Sequence, residues 1–173
     1  ELCNYIKGPD FPTGGAIYGK AGIKKAYKTG RGKITIRGKF SIETAKGGKE
    51  SIVFTEVPYG VNTTNLVNRI KDLARDKVVD GIVGVNDETS DRAGMRLVID
   101  LKRGAITKVI LNTLFAKTDL QSNFGVINLA LVKGRPEVLT LKHIIQYFVE
   151  HRDEVITRRT QFELRKALER AHI

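Results

Sequence analysis

The chain has 173 residues, 41% hydrophobic and 28% charged, which suits one sizeable globular core, or a domain with an appendage, and excludes a disordered or fibrous chain. A formal net charge of +11 would suggest little if it were spread evenly, so where the cations lie decides its meaning, and no apolar run approaches the ~20 residues that a membrane span needs. The single cysteine, Cys3, excludes an internal disulfide framework and fits a reducing cytoplasm.

The start, ELCNYIKGPD, lacks a basic region followed by an apolar one, so no signal peptide is expected. There is no initiator Met, and the far end stops inside a helical pattern. Both ends therefore read as cut, and the chain as a fragment. Lys7 to Gly15 (KGPDFPTGG) is punctuation, an irregular loop set by Pro9, Pro12 and Gly14-Gly15. Gly22 to Lys28 can make about two helical turns, stopped by Thr29-Gly30.

Gly19 to Lys39 carries Lys20, Lys24, Lys25, Lys28, Arg31, Lys33, Arg37 and Lys39, and no acid lies between Phe11 and Ile42. These eight cations account for most of the net charge. A dense unopposed patch suits an extended polyanion, because each neutralised phosphate releases condensed counterions. Glycines at 19, 22, 30, 32 and 38 would let the backbone approach a phosphate strand without a clashing Cβ. The alternative, a solvated charged face, is the usual fate of lysine clusters, but it normally comes with interleaved Asp or Glu. The eight cations are therefore the expected DNA-binding residues.

From Lys33 the period changes to two. Ile34, Ile36, Phe40 and Ile42 share one face, and Thr35, Arg37, Lys39 and Ser41 the other, as in one half-buried strand with a cationic outer face. Lys46-Gly47-Gly48-Lys49 reads as a hairpin turn and Ser51 to Val57 as the returning strand. Asn62, Thr63 and Thr64 offer N-caps to a helix reaching about Lys77, with Leu66, Val67, Ile70, Leu73 and Ala74 inward. Ile82 to Val85 and Met95 to Leu101 read as strands joined by the acidic turn Asn86 to Gly94. Ala105 to Ala116 is a second amphipathic helix through Ile106, Val109, Ile110 and Leu114. Val126 to Val132 reads as one continuous apolar strand, turned by Lys133-Gly134-Arg135-Pro136 into a short partner at Glu137 to Leu139.

From Thr140 to Ile173 there is no Gly or Pro, and the stretch reads as one helix of roughly 50 Å. Leu141, Phe148, Val155 and Phe162 recur at seven, and beyond Ile156 the apolar face thins. The first half is therefore expected to pack on the domain and the second to leave it as one strand of a coiled coil, rather than fold back as an ordinary terminal helix. The expected class is α+β (mixed α/β), a mainly antiparallel or mixed sheet with packed helices over 1–139, followed by the helical arm 140–173.

Few patterns suggest chemistry. Gly14 to Lys20 satisfies G-x-x-x-x-G-K, but Ala21 stands where a magnesium-binding Ser or Thr belongs, and no apolar strand precedes it. Asp87, Glu88 and Asp91 could gather a hard cation, although acidic residues are also favoured in turns for local hydrogen bonding. His143, His151 and His172 lack i,i+4 spacing, and no tyrosine has a neighbouring base or carboxylate cluster. No catalytic, cofactor-binding or metal residue is expected.

Several long strings carry a resemblance. Gly8-Pro9-Asp10-Phe11-Pro12-Thr13-Gly14-Gly15, Ala26-Tyr27 and Thr29-Gly30-Arg31-Gly32-Lys33 closely resemble the A subunit of DNA gyrase, a type IIA topoisomerase. The similarity runs on through Glu56-Val57-Pro58-Tyr59, Asp87-Glu88-Thr89-Ser90-Asp91, Gly94-Met95-Arg96, Arg158-Arg159-Thr160 and Arg170-Ala171-His172-Ile173. The A subunit of topoisomerase IV has similar strings. The resemblance implies a tower domain followed by the outgoing helix of a coiled coil. The winged-helix region with the DNA-cleaving tyrosine would precede Glu1, so none of the five tyrosines inherits that role. It also implies three partners: double-stranded DNA, the gyrase B subunit, and a second copy of the A subunit in an A2B2 holoenzyme. Mg and ATP would be bound by the B subunit, with no membrane and a cytoplasmic setting. Two other classes fit the basic patch: a ribosomal-type RNA-binding module, and an adaptor meeting an acidic protein surface.

Overall fold

The computed structural model describes residues 1–92 and 94–172. Ala93, in the expected acidic turn, and Ile173, at the end of the expected helix, lie outside the described residues. The elements in chain order are α1 Leu2–Tyr5, β1 Ala16–Tyr18, α2 Ala21–Thr29, β2 Arg31–Arg37, β3 Lys39–Thr44, β4 Glu50–Glu56 and α3 Thr63–Arg75. There follow β5 Ile82–Asp87, β6 Leu97–Leu101, α4 Thr107–Lys117, β7 Gln121–Ile127, β8 Leu129–Val132, β9 Arg135–Val138 and α5 Leu141–His172. The α+β class expected from the sequence is the one observed. The chain gathers into two compact units.

The larger unit comprises Gly8–Lys20 and Lys33–Phe124. Its centre is a four-stranded sheet in the order β3-β4-β6-β5, antiparallel at every pairing. The Gly47-Gly48 turn, both glycines at positive φ, returns β3 into β4 as the hairpin pattern predicts. Asn62 caps α3, its side chain accepting a hydrogen bond from the Asn65 N–H at 3.0 Å. Leu66, Val67, Ile70 and Leu73 then form the buried stripe of that helix, and they join Ile52, Phe54, Leu97, Ile99, Leu101, Leu114 and Leu120 in one core. Each such side chain, moved from water to the interior, contributes about 1.5–3 kcal/mol.

Three expectations are corrected in this unit. The single strand expected over Lys33 to Ile42 breaks at Gly38, and its halves join different sheets. β2 lies between β1 and β7, while β3 is the edge of the four-stranded sheet. Ile34 and Ile36 are buried, but Phe40, although it meets the Phe54 and Phe115 rings, and Ile42 are exposed, because β3 is an edge strand with a neighbouring strand on one side only. A Cβ on Gly38 would stand 2.8 Å from the Glu56 carbonyl oxygen, so the break occurs where only glycine fits. The inward face of α4 is also shifted. Ile110 and Leu114 are buried as expected, together with Thr107, Leu111 and Phe115, whereas Ile106 and Val109 are exposed. Finally, the strand β1 lies at residues for which the sequence pattern indicated no element.

The smaller unit comprises Glu1–Lys7, Ala21–Gly32 and the chain from Gly125 onward. The apolar strand expected over Val126 to Val132 is interrupted at Asn128, whose N–H donates to the Gly30 carbonyl at 2.9 Å and whose carbonyl accepts from Leu139 N–H at 2.8 Å. That side connection ends β7 and starts the β8–β9 hairpin. The hairpin turns through Lys133-Gly134, both at positive φ, as a two-residue turn requires. α2 packs against α5. The 32 residues of α5 span about 48 Å. Leu141, Ile144, Ile145, Tyr147 and Val155 are half-buried, and Phe148 and Phe162 stand exposed on the same seven-residue series.

Candidate nucleic-acid interface

In α2 the spacing of apolar residues determines where the charge goes. Ile23 and Ala26 are buried, so Lys24, Lys25 and Lys28 are left on the solvent side. Lys24 and Lys28 are four apart, and Lys25 and Lys28 three apart, spacings at which like charges repel each other. No acid offsets them: among the described residues Lys24, Lys25, Lys28 and Arg31 have no ion-pair partner. Arg31, exposed at the start of β2, follows a tight helix stop. Gly30 lies at φ 77° with its N–H donating to the Ala26 carbonyl at 2.8 Å, and Thr29 Oγ1 lies within hydrogen-bond distance of the carbonyls of Lys25 and Arg31, either of which can take its one proton.

In the larger unit, Lys20 follows Gly19, whose positive φ faces open space, and Lys33 extends from the outer side of β2; both are exposed and without an acidic partner among the described residues. The other two cations are engaged. Lys39 Nζ lies 3.3 Å from Glu56 Oε1, so at this position the patch is opposed after all, by an acid distant in sequence. Arg37 is half-buried. Its guanidinium carbon stands 3.9 Å from the centre of the Tyr18 ring and 4.8 Å from that of Phe115, and its Nε donates to Gln121 Oε1 at 2.5 Å. Such stacking fixes the plane of the guanidinium.

The glycines serve packing more than the sequence suggested. A Cβ on Gly30 would meet the Leu139 carbonyl oxygen at 2.6 Å, and one on Gly32 would meet the Gly22 carbonyl oxygen at 2.7 Å. At Gly30, Gly32 and Gly38 the small residue is demanded by the protein's own backbone, which corrects the expectation that these glycines serve phosphate approach. Gly14 and Gly15 wrap the Glu56 carboxylate, whose Oε2 accepts from the Gly15 N–H. That hydrogen bond, followed by Lys39, holds the Glu56 carboxyl below the usual range. In the acidic turn, Glu88 binds the Arg96 guanidinium together with Glu43 of β3, and Asp87 accepts from the Thr89 N–H. The G-x-x-x-x-G-K string contains β1 at its middle, an extended strand where a phosphate-binding loop would curl.

Sequence reasoning overlooked Tyr18, Gln121 and Asn123. Thr35 Oγ1 donates to Asn123 Oδ1 at 2.9 Å, and Tyr18 pairs across the sheet with Thr35. The i,i+2 spacing of Gln121 and Asn123 is the signal that could have placed both on one strand face.

With the fold and the cations located, comparison with known proteins is decisive. The model of the family that groups the A subunits of DNA gyrase and topoisomerase IV matches residues 1–173. The chain belongs to that family. It is 64% identical to the DNA gyrase A subunit of Treponema pallidum, 54% to that of Clostridium acetobutylicum and 51% to that of Brachyspira hyodysenteriae, in each case over 100% of this chain and 21% of the relative. The chain thus spans about a fifth of the length of the gyrase A subunits it matches.

Proposed function

We propose that this chain is part of the DNA breakage-reunion subunit of a bacterial DNA gyrase, an ATP-dependent type II topoisomerase that changes DNA supercoiling. Its own share is to hold the flanks of the gate duplex. Within it, 1–139 serves as a tower-like domain and 140–173 as the outgoing strand of a coiled coil. Its partners are double-stranded DNA, a second copy of the A subunit in an A2B2 assembly, and the B subunit, which binds Mg and ATP; the setting is cytoplasmic. The chain supplies no nucleophile, and its tyrosines take no part in strand cleavage. Among the described residues no helix is long and apolar enough to cross a membrane.

The observation that carries this proposal is the set of exposed cations without acidic partners, Lys24, Lys25, Lys28 and Arg31 in one unit and Lys20 and Lys33 in the other, in a chain matched to the family over its whole length. Lysines that repel each other along one helix are stabilised by a polyanion, and phosphate contacts of this kind position a duplex without reading its sequence. The test is Lys25→Ala with Arg31→Ala in the full-length protein, with affinity for a labelled duplex measured over a salt series. The slope of log affinity against log salt should fall by about two units, equally for every DNA sequence. An unchanged affinity and slope in the folded variant would refute the assignment. Topoisomerase IV is the second reading, because the family's description names both enzymes; supercoiling against decatenation by the complete enzyme separates them.

A further inference from the structure

The outer face of the sheet β1-β2-β7 has a property that charge alone does not describe. Ile34 and Ile36 of β2 point into the protein, so Lys33, Thr35 and Arg37 point out. Tyr18 joins them opposite Thr35, and Gln121 and Asn123 join them by side-chain hydrogen bonds. In both amides the carbonyl oxygen is the atom consumed internally. Gln121 Oε1 accepts from Arg37 Nε at 2.5 Å, and Asn123 Oδ1 accepts from Thr35 Oγ1 at 2.9 Å. Their NH2 groups have no partner among the described residues, nor do the two terminal nitrogens of Arg37 or the ammonium of Lys33. What Arg37, Lys33 and the two amides offer outward is a set of donors, beside the hydroxyls of Thr35 and Tyr18, which keep acceptor lone pairs.

We propose that this face is a preorganised phosphate-binding surface, in which the Arg37 fork, held by Tyr18, Phe115 and Gln121, grips a phosphodiester of the duplex while the amides of Gln121 and Asn123 donate to neighbouring oxygens. A partner rich in anionic acceptors suits the cluster of donors formed by Arg37, Lys33 and the two amides, and the phosphate oxygens of a DNA strand are such acceptors. A guanidinium already stacked and hydrogen-bonded loses little freedom on binding, unlike the free lysines of α2. Tyr18 and Phe115 act as positioning residues, since they touch the guanidinium and not the phosphate. The inference rests on the DNA-binding role proposed above, and it assigns to the sheet face a contribution from geometry that the lysines lack.

The experiment is duplex binding by the full-length protein over a salt series, with Arg37→Lys, Asn123→Leu and Tyr18→Leu compared with the Lys25→Ala/Arg31→Ala variant. Arg37→Lys keeps the charge but loses the fork, so affinity should fall on the order of tenfold with the salt slope unchanged. Tyr18→Leu should lower affinity in the same manner, and Asn123→Leu by a smaller factor. Asn123 is exposed, so its variant tests the inference independently of the half-buried Arg37. Wild-type affinity in folded Arg37→Lys and Asn123→Leu would overturn the proposal, whatever the α2 variant does. Loss in those two with no change in the Lys25/Arg31 slope would uphold the sheet face and refute the α2 contacts instead.

Discussion

The backbone N–H of Gly15 donates to Glu56 Oε2 at 2.6 Å, tying the loop of Gly8 to Gly15 to the end of β4 across 41 residues of sequence. Lys39 reaches the other oxygen of the same carboxylate at 3.3 Å. A Cβ at Gly14 would stand 2.3 Å from Oε2, so the double glycine and the glutamate form one fitted unit. The hydrogen bond from Gly15 and the ion pair with Lys39 both favour the charged form, and they hold its pKa below the usual glutamate range.

The sign of the resulting pH dependence follows. A carboxyl whose pKa is depressed by folding contributes its stability above the ordinary glutamate pKa and loses it as pH falls through the folded value. Glu56→Gln should lower the Tm at neutral pH, and the gap from wild type should close as pH drops below the ordinary glutamate range. Thermal melts at a series of pH values check this; a gap independent of pH would show that the charge is not the stabilising element.

Glu43 is a second carboxylate held low, and Arg96 is the cause. Its Nη1 and Nη2 donate to the two oxygens of Glu43 at 2.9 and 2.7 Å, and its Nε donates to Glu88 at 3.0 Å. The hydrogen bonds from Arg96 lead in holding the Glu43 carboxyl low. Arg96→Ala should return the Glu43 pKa toward the ordinary range, as read by NMR titration of its side-chain carbonyl carbon. Arg96→Lys should restore the value only in part, since an ammonium cannot bind both oxygens in a parallel fork.

Gly30 is replaceable by no other residue without strain. Its φ of 77° is in the left-handed region, and an added Cβ would meet the Leu139 carbonyl oxygen at 2.6 Å. Gly30→Ala should destabilise by about 1–3 kcal/mol. Urea unfolding monitored by circular dichroism measures it, and Gly19→Ala, also at positive φ but facing open space, is the matched control with a smaller loss.

Helix α4 separates burial from hydrophobicity. Leu114 is fully buried, whereas Val109 is 57% exposed. Leu114→Ala should cost about 2–5 kcal/mol, and Val109→Ala should stay near ~0.5 kcal/mol or below. Equal losses in urea melts would place the inward face of α4 where the sequence pattern had it.

Elements governed by neighbouring residues were legible in the sequence. The Gly47-Gly48 turn, the Asn62 cap and the stripe of Leu66, Val67, Ile70 and Leu73 follow from local conformational preference and helical period, and they are where the pattern puts them. The long helix from Leu141 likewise follows from a stretch with no Gly or Pro to stop it. Membership of the family was carried by strings such as GPDFPTGG, which need no folding to be read. Tertiary structure decided the rest. Alternation from Ile34 to Ile42 lacks an apolar side chain only at Gly38, and contact with the Glu56 backbone and the Phe54 ring divides the run there between two sheets. Helical period put the inward face of α4 on Ile106, Val109, Ile110 and Leu114, and packing on the core chose Leu111 and Phe115 over Ile106 and Val109. In the basic stretch the sequence showed eight similar cations. Only folding brought Glu56 to Lys39, and Tyr18, Phe115 and Gln121 to Arg37, because those partners lie 17 to 84 residues away. A charge is a property of a residue; whether it is free, paired or held in a fixed plane is decided by long-range contacts that no local pattern contains.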